Sequence, residues 1–201
     1  IYPEEIKNSE IIIADTYSGD NYLKKIASHD SYLLENTWKA HNRPSSAVMV
    51  WIQVYEALES PTPIWEAKSS SYSLIIGGKV NITEDTESHE EMIRLTARYG
   101  DDKISGHIGS DVGQSYWHHI AITLNKMYGF SLFIDGKKSE RKMLDDRSIV
   151  PLEGVFKLFE AKLHYENFRL YTGILTPLHV ESIFNCQRGE SDIGLKPKMA
   201  C

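Results

Sequence analysis

Long runs of a single residue class are missing from this sequence of 201 residues. The longest apolar stretches, such as Val48–Ile52, fall far short of the roughly 20 residues that a membrane-spanning helix requires, so we expect no direct membrane insertion. Long runs of one charge are also missing, although 28 acidic residues outnumber 22 basic ones and the formal net charge is −6. This balance argues against a nucleic-acid partner held by its phosphates.

Cysteine is nearly absent, because the chain contains only Cys186 and Cys201. The CxxC spacing of zinc ribbons and thioredoxin-like redox sites does not occur, which argues against both classes. The two residues lie 15 positions apart in a tail that also holds glycine and proline. From the residues alone they either form a disulfide in an oxidising compartment or remain two thiols in a reducing one.

The chain starts at Ile1 without an initiator methionine or a leader pattern, so we expect a fragment that was cut from a longer precursor or trimmed for study. We also expect it to be part of a larger multidomain chain. Hydrophobic residues make up 41%, which is ordinary for a globular domain of this length. No internal repeat, low-complexity tract or linker divides the sequence, and we predict one domain.

Alternation of apolar and polar residues, bounded by Gly, Asp, Asn and Ser, predicts short strands along most of the chain. The segment 48–55 is apolar on both faces, which is typical of a central strand. Strands at 117–124, 130–134 and 137–143 form a predicted meander, with Asp135-Gly136 as a tight hairpin turn. Further strands are predicted at 154–160 and 165–171. Thr176-Pro177 then predicts the start of a short helix that ends near Cys186.

The segment Trp117–Thr123, followed by Leu132–Gly136, resembles the central signature of laminin-G-like and pentraxin-like domains of the concanavalin A-like superfamily. Tyr17–Leu23 is similar to the opening strand pair of that family. The segments Phe168–Tyr171, Leu175-Thr176 and Ile183-Phe184 are similar to its closing strand and helix.

This resemblance implies an all-β jelly-roll sandwich of two antiparallel sheets with a short C-terminal helix. It spans roughly residues 13–185 of a domain predicted at 1–185, in which 26–45 matches poorly and is expected to be an insertion or an extra loop. A tail at 186–201 follows. Because the family is mostly extracellular, the resemblance also favours a secreted or cell-surface location and the Cys186–Cys201 disulfide in that tail.

The resemblance implies a non-catalytic recognition or adhesion module that binds a protein partner or assembles within a larger surface protein. A lectin that binds carbohydrate, with or without calcium, is the alternative. A glycoside hydrolase ranks third, because retaining enzymes of this fold carry Glu-x-Asp-x-x-Glu on one strand. The only Glu-x-Asp here is Glu190-Ser191-Asp192, which lacks the third acid and lies outside the predicted sandwich.

Carbohydrate binding requires an aromatic platform at a loop rim, for which Trp38 and Trp65 are the candidates, against the alternative that they pack in the core. Trp51 and Trp117 lie within predicted strands and are expected in the core. For Ca²⁺ the candidate ligands are three acids in glycine-rich turn segments, with ordinary turn chemistry as the alternative. These acids are Asp101, Asp102 and Asp111.

Four other features of the sequence are candidate sites: a histidine pair, an acidic stretch, a basic segment and a glycosylation sequon. His118 and His119 alternate faces of one strand, so they cannot chelate one ion together and are expected to be structural. The acidic stretch 84–91 is expected to be a solvated loop. The basic segment 137–142 either meets an acidic partner such as heparan sulfate or protects an exposed sheet edge. Asn81 begins the single glycosylation sequon, which matters only in the secretory pathway.

Overall fold

The computed structural model describes residues 11–13, 32–39, 45–54, 61–67, 72–82, 90–109, 117–145, 153–158, 163–172 and 174–188. These residues form twelve strands and one helix. The elements are β1 Ile11–Ile13, β2 Tyr32–Lys39, β3 Ser46–Val54, β4 Thr62–Ala67, β5 Tyr72–Ile82, β6 Glu90–Tyr99, β7 Asp102–Gly109, β8 Trp117–Asn125, β9 Gly129–Ile134, β10 Lys137–Lys142, β11 Glu153–Leu158, β12 Leu163–Thr172 and α1 Pro177–Arg188.

The strands form two antiparallel sheets of six strands each. The first sheet has the order β1-β12-β3-β8-β9-β10, and the second has the order β2-β11-β4-β5-β6-β7. The predicted jelly-roll sandwich with a C-terminal helix is thereby confirmed. The stretch 26–45, expected to be an insertion or an extra loop, contains strand β2, which pairs with β11 at one edge of the second sheet. The segment Tyr17–Leu23 lies outside the described residues.

Strand β3 is central to the first sheet, as its two apolar faces predict. Val48, Val50 and Ile52 point inward and pack in the core between the sheets. The opposite face carries Met49 and Trp51, which are also buried. A strand that is apolar on both sides needs a cover on its outer face.

Helix α1 is this cover. Its buried residues Val180 and Ile183 pack with Met49 and Tyr171 on the outer face of the first sheet. The helix begins as predicted, because the Thr176 Oγ1 accepts a hydrogen bond from the His179 backbone N–H at 3.3 Å. His179 Nδ1 in turn accepts from the Thr176 N–H at 3.3 Å. This reciprocal pair satisfies two donors that the first turn of a helix leaves free.

The meander β8–β10 is confirmed, and its hairpin turn has the predicted geometry. Asp135 and Gly136 have φ values of 50° and 74°, the left-handed region that a type I′ turn requires. Asp135 is the only described residue other than glycine with a positive φ. Its short polar side chain tolerates this conformation better than a larger residue would.

Strand β10 lies at one edge of the first sheet and β7 at one edge of the second, and the two edges meet. The backbone N–H of Ser105 on β7 donates to the Glu140 carboxylate on β10, and Ser139 Oγ donates to the Ser105 carbonyl at 3.4 Å. Side chains of β10 therefore pair with backbone groups of β7 that no strand covers. This contact closes one side of the sandwich.

Candidate functional site

The two tryptophans predicted as a glycan platform occupy strands. Trp65 lies in β4 with 0% of its surface exposed, within the core between the sheets. In this position its indole contributes to packing and has no face toward a ligand. Trp38 lies in β2, opposite Gly154 of β11, but its side chain is outside the described residues. Trp51 and Trp117 are buried, as predicted.

The three acids predicted as calcium ligands are not brought together by the part of the chain that the structure describes. Asp101 is exposed in the turn between β6 and β7, and Asp111 lies outside the described residues. Asp102 forms an ion pair with Lys142 Nζ, so a lysine already neutralises its carboxylate. Among the described residues, no group of three or more His, Cys, Asp or Glu side chains is placed to hold a metal ion.

His118 and His119 both interact with the hairpin turn that follows them. The Asp135 carboxylate bonds His118 Nδ1 through Oδ2 at 2.9 Å and accepts from the His119 backbone N–H through Oδ1 at 2.9 Å. The Asp135 N–H donates to the His119 carbonyl at 2.8 Å. The two histidines thus anchor the β9–β10 turn to strand β8, which supports their structural interpretation.

The His119 imidazole is fully buried beneath the C-terminal half of α1. Its ring lies 5.2 Å from that of Trp51 and 5.8 Å from that of Phe184, measured between centroids. Trp51 and Phe184 stack on each other at 5.7 Å. The Trp51 Nε1–H donates to Gln187 Oε1 at 2.6 Å, which links the sheet to the last turn of the helix.

Burial lowers the pKa of His119 from its usual value of 6.5 to about 4. The nearby Asp135 carboxylate raises this pKa, and the Arg169 guanidinium lowers it, but desolvation is the largest effect. Neither ring nitrogen has a hydrogen-bond partner among the described residues. The imidazole is therefore neutral at pH 7 and acts as a packing group rather than as an acid or base.

The basic segment 137–142 is strand β10, and all six of its residues are exposed. This agrees with the interpretation as a protected sheet edge. Its charges are not equivalent, because Lys142 pairs with Asp102. The Arg141 guanidinium instead lies against Met143, with Nε 3.1 Å and Nη2 2.6 Å from the Met143 Sδ. Arg141 has no carboxylate partner among the described residues.

One end of the first sheet gathers exposed apolar side chains. A single row across this end joins β12, β3, β8, β9 and β10 through Thr172, Ser46, Leu124, Phe130 and Lys142. All four exposed large hydrophobic residues of the described chain lie beyond this row or start the helix that follows it. They are Met127 at 64%, Met143 at 54%, Ile174 at 45% and Leu178 at 71% exposure.

We call this end the rim patch, defined by Met127, Arg141, Met143, Ile174 and Leu178. Close backbone contact joins the β8–β9 turn, which carries Met127, to the end of β10, which carries Met143. A Cβ on Gly129, which has a φ of 70°, would lie 2.3 Å from the Lys142 carbonyl oxygen and 3.0 Å from the Met143 Cα. Only glycine therefore lets the β8–β9 turn approach the end of β10 this closely.

Sequence reasoning missed the rim patch because its members are far apart along the chain and lie in turns. Isolated apolar residues in turns are common, and no pattern links Met127 with Ile174. The available signal was the meander itself, since antiparallel pairing predicts that the β8–β9 turn and the end of β10 meet at one edge.

Several solved structures share this architecture. The chain folds as a concanavalin A-like jelly roll. The receptor binding domain of botulinum neurotoxin D matches with a TM-score of 0.55 and 16% identity, over 88% of this chain and 47% of that one. The binding domain of botulinum neurotoxin DC in complex with SialylT gives 0.51 and 13%, over 87% and 39%. The same domain in complex with rat synaptotagmin II gives 0.50 and 13%, over 88% and 46%.

This jelly-roll chain spans less than half the length of each of these binding domains. At such low identity the likeness concerns the fold alone. No family model matches the sequence, so the laminin-G-like assignment stays a prediction. No curated protein matches it either.

Two further predictions also stay open. Asn81 lies in β5, and its side chain is outside the described residues. Cys186 lies on α1, which extends to Arg188, but Cys201 is outside the described residues, so the disulfide remains a prediction. The one helix among the described residues is too short and too polar to cross a membrane.

Proposed function

We propose that the protein is a non-catalytic recognition module of the extracellular space that binds a protein partner through the rim patch. The observation that carries this proposal is the chemistry of the exposed apolar surface. Its four large side chains are methionine, isoleucine and leucine. No aromatic residue whose exposure is described is fully exposed, and Tyr128 in the β8–β9 turn is half-buried.

This chemistry suits a protein partner better than a sugar. Glycans pack their weakly apolar ring faces on flat aromatic side chains, whereas flexible methionine side chains adapt to irregular protein surfaces. Methionine and arginine are both enriched in protein–protein interfaces. The fold adds general support, because the similar solved structures are binding domains. A location outside the cell and a laminin-G-like role in adhesion remain part of this proposal.

A carbohydrate-binding lectin is the second candidate. It is favoured by the botulinum neurotoxin DC domain, a similar fold whose structure was solved in complex with SialylT. For this chain, Trp38 is the candidate platform, and a Ca²⁺ ion held by the predicted acids Asp101 and Asp111 belongs to this alternative. Within the described residues, the ion pair of Asp102 with Lys142 does not favour such a metal site.

Two arrays distinguish the candidates. The purified domain is applied to a glycan array, once with millimolar Ca²⁺ and once with a chelator. It is also applied to an array of extracellular proteins in native and enzymatically deglycosylated forms. We expect a blank glycan array and saturable binding to proteins that survives deglycosylation. Binding to a related set of glycans, or loss of protein binding after deglycosylation, would overturn the proposal in favour of the lectin. Dependence on Ca²⁺ would place a metal in the site.

A further inference from the structure

The rim patch carries a charge that specifies its partner. Of the two cations at the end of β10, Lys142 is paired with Asp102, whereas the Arg141 guanidinium lies against the sulfur of Met143 and has no carboxylate partner in the part of the chain that the structure describes. A guanidinium presents a planar set of donors that matches a carboxylate in a bidentate arrangement. At this end, the described fold therefore leaves the Arg141 guanidinium without a carboxylate. The group that matches it is a partner's carboxylate next to an apolar side chain.

We infer that the rim patch binds an extended protein segment in which aliphatic side chains are flanked by Asp or Glu. This inference rests on the proposed function and names the partner's chemistry. An acidic residue of the segment pairs with Arg141. Its apolar neighbours contact Met127 and Met143, whose side chains are exposed by more than half.

The dimensions of the sheet suit such a segment. Four inter-strand steps separate β10 from β12, which at about 4.8 Å each gives a rim of about 19 Å. An extended segment of about six residues covers that distance at about 3.3 Å per residue. Ile174 and Leu178 lie at the far end of this path, where α1 begins, and offer a second apolar contact.

An anionic membrane fits the same end less well. Asp101 is exposed beside Asp102, and both lie where β7 meets the end of β10. These two carboxylates offset the basic residues there. A lipid surface gains affinity from several unpaired cations, whereas one salt-bridged segment needs only a single cation in the right place.

Methionine methyl groups provide a direct probe, because the chain contains five methionines. The domain is labelled with ¹³C at the methionine methyl groups, and each signal is assigned by Met→Leu substitution. It is then titrated with a 12-residue peptide of repeated Glu-Leu-Leu-Glu and with its counterpart carrying Lys in place of Glu. We expect saturable shifts at Met127 and Met143, at least tenfold weaker affinity for the lysine peptide, and no shift at buried Met49.

A matched pair of variants tests the charge. Arg141→Glu should reverse the preference between the two peptides, whereas Lys138→Glu, the same charge change at the other end of exposed β10, should leave it unchanged. Both variants must keep the Met49 signal of the native fold. A peptide response that does not depend on Arg141, or the absence of any response at Met127 and Met143, would contradict the inference.

Two further outcomes would also overturn it. Shifts of Met127 and Met143 with phosphatidylserine vesicles but not with the acidic peptide would assign the patch to a lipid surface. Shifts that depend on protein concentration alone would assign it to a second copy of the chain. The arrays test the proposed function separately. Suppose that protein binding survives deglycosylation but the methionine signals do not shift with the acidic peptide. That result would support protein recognition and would contradict only the inference about an acidic, aliphatic segment.

Discussion

Buried His119 shows how strongly one residue's surroundings decide its chemistry. The imidazole packs against the rings of both Trp51 and Phe184 with 0% exposure, and burial keeps it neutral. Its neighbour His118, one position earlier on β8, is only partly buried and bonds Asp135. Adjacent positions on a strand face opposite sides, so two identical residue types meet different environments.

His119 should make stability depend on pH. Between pH 6.5 and about 4 the unfolded chain binds a proton at this residue and the folded chain does not. The free energy of unfolding should therefore fall by about 1.4 kcal/mol per pH unit as the pH drops through this window. Above pH 6.5 His119 should contribute no pH dependence. Urea unfolding at a series of pH values measures this slope.

Substitution isolates the contribution of His119 from those of other titrating groups. His119→Phe places a ring of similar size beside Trp51 and Phe184 and should remove that part of the slope. Met127→Leu, at an exposed position without a titrating group, should leave the slope unchanged. Equal slopes for the wild type and His119→Phe would show that the buried imidazole is protonated in the folded state.

At the scale of elements, α1 covers the apolar outer face of the first sheet and is part of its packing. The outer face of β3 is apolar and would be exposed without this helix. The helix is fixed at its start by the Thr176–His179 bonds and near its end by the Gln187–Trp51 bond. It thereby connects the end of the sheet that carries the rim patch to the end that carries the Asp135 turn.

Truncation of Phe184 tests this packing. Phe184 is buried against Trp51, and its ring reaches within about 3 Å of the position that a Cβ on Gly136 would occupy. Phe184→Ala should lower the free energy of unfolding by about 3 kcal/mol, because it removes a large ring and leaves a cavity. Glu181→Ala, exposed on the same helix, should cost less than about 0.5 kcal/mol. Equal effects in a denaturation experiment would show that the helix is not docked through Phe184.

At the scale of the whole molecule, two sheets of six strands close against each other through distant parts of the sequence. The β7 and β10 edges meet through Ser105, Ser139 and Glu140. The opposite edge strands are β1 and β2. The predicted Cys186–Cys201 link would add a covalent constraint between α1 and Cys201.

Reduction tests that link. A disulfide between Cys186 and Cys201 closes a loop of about 15 residues and should contribute about 3 kcal/mol by limiting the unfolded chain. We expect the midpoint of urea unfolding to fall when a reductant is added, and no free thiol in protein secreted from cells. A Cys186→Ser, Cys201→Ser double variant should match the reduced protein. Two reactive thiols in the secreted protein would contradict the prediction.

Local patterns in the sequence determined much of the fold. An apolar run on both faces placed the central strand β3, and strand-and-turn patterning placed the meander β8–β10. Asp135-Gly136 specified the hairpin, and Thr176-Pro177 marked the start of α1. Each of these signals lies within a few neighbouring residues, where backbone preferences and side-chain period act directly.

Only the tertiary structure decided which side chains meet. It buried Trp65, placed neutral His119 under α1, and joined Trp51 to Gln187 across 136 positions of sequence. It also brought Met127, Met143 and Arg141 to one rim. The physical reason is that register and sheet order set these contacts, and they depend on the balance of packing over the whole sandwich. A local pattern states which face a residue takes, but not which distant residue lies opposite.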